Sequence, residues 1–440
     1  MATFYWTGAV NGGSGTWDTT STNNWSATSG GAGGAGVPGV SDSVIFDAGS
    51  GAATCTLGSN VSALTLNMLS YAGTLDFSSS SISLAGTSGT VFSGGSGYTA
   101  VGSKNILLTG GGASVRTIAG GTPSSGNAIN IAVLSGTGSV TFSGRHGAVN
   151  FLGFTGTLNT GSFNIYGDLT LDPSMTIAAT ANSIGLFDSG TTRTIITNGT
   201  VINRSLYLNA AGSTWLLGDN LTMGSGRQFL VFNGTLSIDG RILTVGNLMA
   251  SYSTIREIDF GSGGTLNVLD AGGVAFNAST STNLTVSGTG TISMNSASDK
   301  TFNGGGKNWP ILNQGGSGRL SITGANSFSS IANSVQPTII TFPSGTVTTV
   351  ESFNVSGTSG NLVVIDSSSP GVKATLSDSS GVNSVSFCDI KDTDATGGAF
   401  WRSYVSSGNV DSGNNSGWDF DETTFRYIYS RRKNKVVLPV

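Results

Sequence analysis

A rhythm of short apolar runs, broken by Gly, Asn and Asp, constrains this chain more than any other feature. The stretch Arg227 to Gly246, RQFLVFNGTLSIDGRILTVG, shows the unit. Gln228–Phe232, Thr235–Ile238 and Arg241–Val245 read as strands, separated by Asn233-Gly234 and Asp239-Gly240. Gly, Asn and Asp tolerate the positive φ of tight corners, so both pairs are predicted to be turns. Leu236 and Ile238 alternate with Thr235 and Ser237, which is the period of a strand. No run is long enough for a helix. Such pairs serve equally as antiparallel hairpin turns and as corners between the faces of a coiled β-solenoid.

The number of similar stretches favours the second reading. Runs such as Ala63–Leu66, Asn105–Leu108, Ser139–Phe142, Arg319–Ile322 and Asn361–Ile365 continue from about residue 53 to residue 385. Gly-Thr-Leu recurs at Gly73, Gly156, Gly234 and Gly264, with Gly290-Thr291-Ile292 as a variant. The recurrences are unevenly spaced, which excludes a strict repeat array and suits the irregular turns of a β-helix. One such turn cannot bury its apolar face alone; stacking makes a continuous core. The expected fold is therefore all-β, an elongated β-solenoid or β-helix. Chained β-sandwich domains are the rival, against which stands the length of the series without a clear boundary. The expected organisation is an aromatic N-terminal cap (residues 1–52), a solenoid body (53–385), a closing segment (386–420) and a basic tail (421–440).

Composition narrows the function. Charged residues make up 10% of the chain, far below ordinary soluble domains, and 19 basic against 23 acidic residues leave a net charge of −4. That balance gives no support for nucleic-acid binding. A surface of Ser, Thr and Asn is typical of extracellular or virion β proteins. The start, MATFYWTG, lacks the basic and apolar regions of a signal peptide, and no stretch has the run of apolar residues that spans a bilayer. No membrane insertion is expected, and the chain is read as cytoplasmic, secreted by another route or packaged into a particle. Cys55 and Cys388 lie too far apart in sequence for a stacked fold to pair them.

Chemistry-bearing residues are few. His146 is the one histidine; no nucleophile–histidine pattern accompanies it, and it reads as a turn or surface residue. Asp389, Asp392 and Asp394 form the densest acidic group. Three carboxylates in six residues are a weak Ca²⁺ candidate, since the Gly and distal Glu of an EF-hand are missing; otherwise they are solvated or cap backbone N–H groups. Glycan-cleaving β-helices need paired carboxylates across neighbouring turns, and no catalytic set is assigned. Trp6, Trp17 and Trp25 crowd the N-terminal segment. They either close the end of a β core or offer open rings for carbohydrate stacking and attachment. Arg431, Arg432, Lys433 and Lys435 form a basic group that is either a solvated tail or a docking surface for an acidic partner.

Two sequence stretches carry a resemblance. YWTGAVNGGSGTWDTTSTNNWSATSGGAGGAGVPGVSDSVIFDAGSG resembles the start of a family of phage and prophage β-rich proteins. The region from about Trp309 to Phe420, with Trp309-Pro310, Gly324-Ala325-Asn326-Ser327-Phe328 and the closing Asp411-Ser412-Gly413-Asn414-Asn415-Ser416-Gly417-Trp418-Asp419-Phe420, resembles its end. The resemblance covers about a third of the chain, and the residues after Phe420 depart from it. It implies a fibre- or spike-like virion structural protein, of a kind mostly without a characterised activity, on the tail or capsid surface; the residues themselves lead to the expectation of no enzyme and no cofactor beyond the Ca²⁺ candidate. The expected partners are other virion proteins and a host surface glycan or receptor, together with further copies of the chain in a homotrimer that covers the flat faces and open edges one chain leaves exposed. A capsid-decorating head fibre, a bacterial surface adhesin and a glycan depolymerase are the alternatives.

Overall fold

The computed structural model describes residues 1–8, 14–159, 161–270 and 273–422. The chain is 51% strand and 3% helical and forms a β-solenoid of about 17 turns. Neighbouring turns pair in parallel, as Asn105–Leu108 does with Ser81–Leu84 on one side and Asn130–Val133 on the other. Parallel pairing between successive segments is what separates a solenoid from a series of antiparallel sandwiches. The chain divides into two compact units, residues 1–227 with 233–236, and residues 228–232 with 237–440.

In the first unit the period-two pattern turns every second residue inward, and parallel register stacks those residues into columns. Ile82, Ile106, Ile131, Val149, Leu169, Ile195 and Leu217 follow one another rung by rung, all buried. Val44, Leu66, Phe92, Ile118 and Phe142 make a second column. Each such side chain contributes about 1.5–3 kcal/mol by leaving water. Outward positions carry small polar groups that bond along the ladder. Asn130 Nδ2 donates to Asn105 Oδ1 at 3.0 Å, and the Thr157 and Thr176 hydroxyls lie 2.9 Å apart.

Gly-Thr-Leu has a structural explanation. In each copy the Gly sits at a corner, the Thr points out and the apolar residue enters the core. A Cβ on Gly73 would lie 2.2 Å from Ala53 O, one on Gly156 1.9 Å from Gly138 O, and one on Gly290 2.2 Å from Gly264 O. The corner therefore rests on the carbonyl of the turn before it, with no space for a side chain. Leu75, Leu158, Leu236, Leu266 and Ile292 are all fully buried. One expectation needs correcting. Asn233-Gly234 does not end a strand, because Gln228–Ser237 is a single element. Gly234, at φ +90°, bends it while the ladder hydrogen bonding carries on.

The N-terminal segment belongs to the same ladders. Thr3–Trp6 pairs in parallel with Ser43–Ile45, and Ser14–Trp17 with Thr54–Leu57. On the other side of Thr3–Trp6, Trp25–Ser26 folds back antiparallel and closes the edge. The Gly- and Ala-rich stretch 29–36 is tied down there: the Gly34 and Ala35 N–H groups donate to Thr22 O and Trp25 O at 3.2 and 3.0 Å.

The second unit is built in the same way. Leu243, Leu266, Ile292, Leu312, Ile331 and Phe353 form its buried column. Phe276 and Phe302 stack in register at 4.5 Å, with Trp309 edge-on at 4.9 Å to Phe276. The closing segment continues the ladders, since Cys388–Ile390 pairs with Val363–Ser367. Val382–Ser384, Phe400–Arg402 and Trp418–Asp419 stack as three rungs, and Trp401 meets Trp418 at 5.1 Å.

Inward positions also hold cations. Lys300 shares its parity with Phe302, and both are buried. Among the described residues its ammonium has no carboxylate within bonding reach and donates instead to Ser296 O, Gly316 O and Gly318 O at 2.8, 3.3 and 2.8 Å. Burial pushes its pKa down to about 8. Arg256 does likewise, donating to Ala250 O at 2.7 Å, to Thr254 O and Thr282 O at 2.8 and 2.9 Å, and to Thr280 O. Carbonyls that face into the core are thus satisfied by cations rather than left unpaired.

Candidate functional site

Trp6, Trp17 and Trp25 are fully buried. Trp25 meets Trp6 at 5.2 Å and Trp17 at 5.1 Å, both edge to face, and Phe46 stacks on Trp6 at 5.7 Å. A sugar or a partner protein needs an open ring face, so these tryptophans do not form the attachment surface. They are the core of the first turns, drawn inward because large amphipathic rings bury more apolar area there than any other side chain.

Asp389, Asp392 and Asp394 are not assembled into a cage. Among the described residues no three His, Cys, Asp or Glu side chains converge as a metal site. Asp392, in a left-handed turn at φ +52°, takes hydrogen bonds from the Gly371 N–H at 3.0 Å and Asn414 Nδ2 at 2.7 Å. These bonds hold its carboxyl below the usual range. Asp394 accepts from Ser416 Oγ. Arg431, Arg432, Lys433 and Lys435 lie outside the described residues.

His146 is not at the surface. It ends the Ser139–His146 strand, fully buried against Phe142 at 5.0 Å and Phe163 at 6.1 Å. Nε2 lies 2.9 Å from Ser143 O, which makes it the protonated nitrogen. Burial, only partly offset by that hydrogen bond, lowers its pKa to about 4. Cys55 and Cys388 are both buried and form no disulfide.

The structure does bring together a set of polar residues that the sequence does not announce. Five successive corners of the first unit line a hollow of about 450 Å³. Lys104 and Asn130 lead into the Asn105–Leu108 and Asn130–Val133 strands. Tyr166 follows Phe163–Ile165, and Asp168 precedes Leu169–Thr170. Asp188 follows Ser183–Phe187, and Arg193 lies in Thr192–Ile196. The hollow exists because two of its corners are pinched. A Cβ on Gly147 would lie 2.2 Å from Asn130 Oδ1, and one on Gly167 2.5 Å from Ala148 N. Longer corners flank these, the turn at Ser125–Asn127 and the Asp188–Thr191 loop.

Its polar groups are held in place. Lys104 Nζ donates to Gly126 O at 2.9 Å. Arg193 Nε is paired with Asp188, which also accepts from Thr191 Oγ1 and, at 2.8 Å, from the Ser189 N–H. Burial alone would raise the pKa of Asp188, but these hydrogen bonds and the Arg193 charge outweigh it and hold the carboxyl below its ordinary value. Asp168 is exposed; among the described residues its carboxylate takes one hydrogen bond, from the Thr194 N–H at 2.9 Å. Tyr166, also in the lining, packs against Arg145, 5.9 Å from its ring centre, and Phe187 at 5.5 Å.

No family model, curated protein or solved structure matches the chain. No helix among the described residues is long and apolar enough to cross a membrane.

Proposed function

We propose that the chain is a structural protein of a phage particle, fibre- or spike-like, whose work is mechanical and adhesive. The observation that carries the proposal is the solenoid, with aliphatic columns inside and small polar ladders outside. Each turn is held by its neighbours on both sides, a construction that resists local opening. The terminal sequence words resembling phage β-rich proteins support the same reading. Attachment to other virion proteins and a homotrimer that covers exposed faces belong to the proposal, as does contact with a host surface glycan or receptor. Glycan depolymerisation is less favoured. It calls for two free carboxyl groups facing a bound sugar, whereas Asp188 is already engaged by Arg193, Thr191 Oγ1 and the Ser189 N–H.

The test is a cryo-EM map of the intact particle, traced at side-chain level for this chain. A β stack anchored through one terminus supports a fibre or spike. A chain lying flat on the capsid makes it a decoration protein, and its absence from purified particles overturns the virion role.

A further inference from the structure

We infer that the hollow lined by Lys104, Asn130, Tyr166, Asp168, Asp188 and Arg193 binds an uncharged, hydroxyl-rich glycan. The inference deepens the adhesive half of the proposed function and rests on it.

Three observations carry it. First, the charged lining is balanced, Lys104 and Arg193 against Asp168 and Asp188. A sulfated, sialylated or phosphorylated ligand would bring its anion to two carboxylates, and a polycation would meet Lys104 and Arg193. A neutral ligand meets neither conflict. Second, the lining holds both donors and acceptors, and they are already oriented. Arg193 and Asp188 are locked together, Asn130 is held by Ser103 O and Asn105 Oδ1 at 3.1 and 3.0 Å, and Asp168 is steadied by the Thr194 N–H. Adjacent sugar hydroxyls each donate and accept, so fixed pairs of this kind suit them, and little side-chain freedom is lost on binding. Third, the hollow has the size of a small-molecule site, about 450 Å³, and Tyr166 adds an amphipathic side chain to its lining. The floor cannot fill itself, because the corners at Gly147 and Gly167 leave no room for a side chain.

The experiment presents the full-length chain to an array of neutral hexose-based oligosaccharides alongside uronic-acid and sialic-acid counterparts. Titration calorimetry with the best-bound oligosaccharide follows. Binding confined to neutral glycans is expected. Asp168→Asn, which keeps an acceptor for the Thr194 N–H, and Tyr166→Phe, which keeps the ring between Arg145 and Phe187, should each weaken it at least tenfold. Glu351→Gln, in a polar hollow of the second unit, should leave it unchanged. Three results would overturn the inference: no saccharide bound, a preference for anionic glycans, or affinity indifferent to both cleft variants. None of these touches the particle role, and absence from the particle would leave glycan binding by the isolated chain standing.

Discussion

Lowering the pH through the range where imidazole titrates isolates the energetic contribution of His146. In an unfolded chain an imidazole takes up its proton near pH 6.5, whereas the buried ring of His146 does so only at about pH 4. The folded pKa lies below the unfolded one, so the unfolded state binds the proton first. The stability linked to His146 is therefore complete above pH 6.5 and is lost as the pH falls toward 4. The loss runs at up to about 1.4 kcal/mol per pH unit, or roughly 3 kcal/mol over the whole interval. No second histidine shares the window. The lowered carboxyls of Asp18, Asp188, Asp239 and Asp392 titrate below it. His146→Phe fits the ring cluster with Phe142 and Phe163 and removes the titration. Its hydrogen bond to Ser143 O is lost as well, which subtracts about 1 kcal/mol at every pH. Urea unfolding of both proteins at pH 7 and pH 5 should show the native chain losing about 2 kcal/mol more than the variant. An NMR titration of the single imidazole resonance should stay flat down to pH 5. A native-state midpoint near 6.5, or an equal pH response in the variant, would refute the reasoning.

Two further predictions concern the ladder. Gly156→Ala should cost about 1–3 kcal/mol, because its Cβ would press on Gly138 O. Gly161→Ala, with nothing within 4 Å, should stay within about 0.5 kcal/mol; comparing thermal midpoints decides. Lys300 has a folded pKa of about 8 against 10.5 for the free amine, so the penalty of its buried charge persists below pH 8 and is relieved as the pH rises toward 10.5. The stability of the native chain relative to Lys300→Met should therefore rise by about 1–2 kcal/mol between pH 8 and 9.5. A constant difference across that range would remove Lys300 from the account.

The sequence exposed the parts of the fold that depend on local alternation. Thr235 to Ile238 and the Gly-Thr-Leu words displayed inward and outward positions directly, and the solenoid followed from their number. Where inference from sequence failed, a second turn was involved. His146 sits among Gly144, Arg145 and Gly147 and looks like a loop residue, yet the ladder continues through it into the core. Asn233-Gly234 looks like a stop because a strand bent by one left-handed glycine has the same local signature as a turn. The tryptophans, which from sequence read as a plug ahead of a platform, are fixed as core by their contacts with Phe46 and the antiparallel return of Trp25. The hollow was illegible for the same reason. Lys104 and Arg193 are distant in sequence, and only the stacking of the intervening turns brings their corners to one place. Parity offered a usable signal for Lys300, which shares the inward phase of Phe302.

The closed first edge has a consequence for the order in which the chain comes together. Trp6, Trp17, Trp25 and Phe46 are all synthesised before the later turns of their unit, and their cluster needs little beyond the strands up to Leu57. Once formed, that cluster offers its ladders to the later turns, while along Thr3–Trp6 the opposite edge is already occupied by Trp25–Ser26. Each later turn of the unit then has one surface to join, immediately behind it in the growing chain. Non-local pairing, which slows most β proteins, is reduced here to adding one turn of roughly two dozen residues at a time. The same strand that blocks a stranger from pairing with the first rung thus gives folding a starting point and a direction.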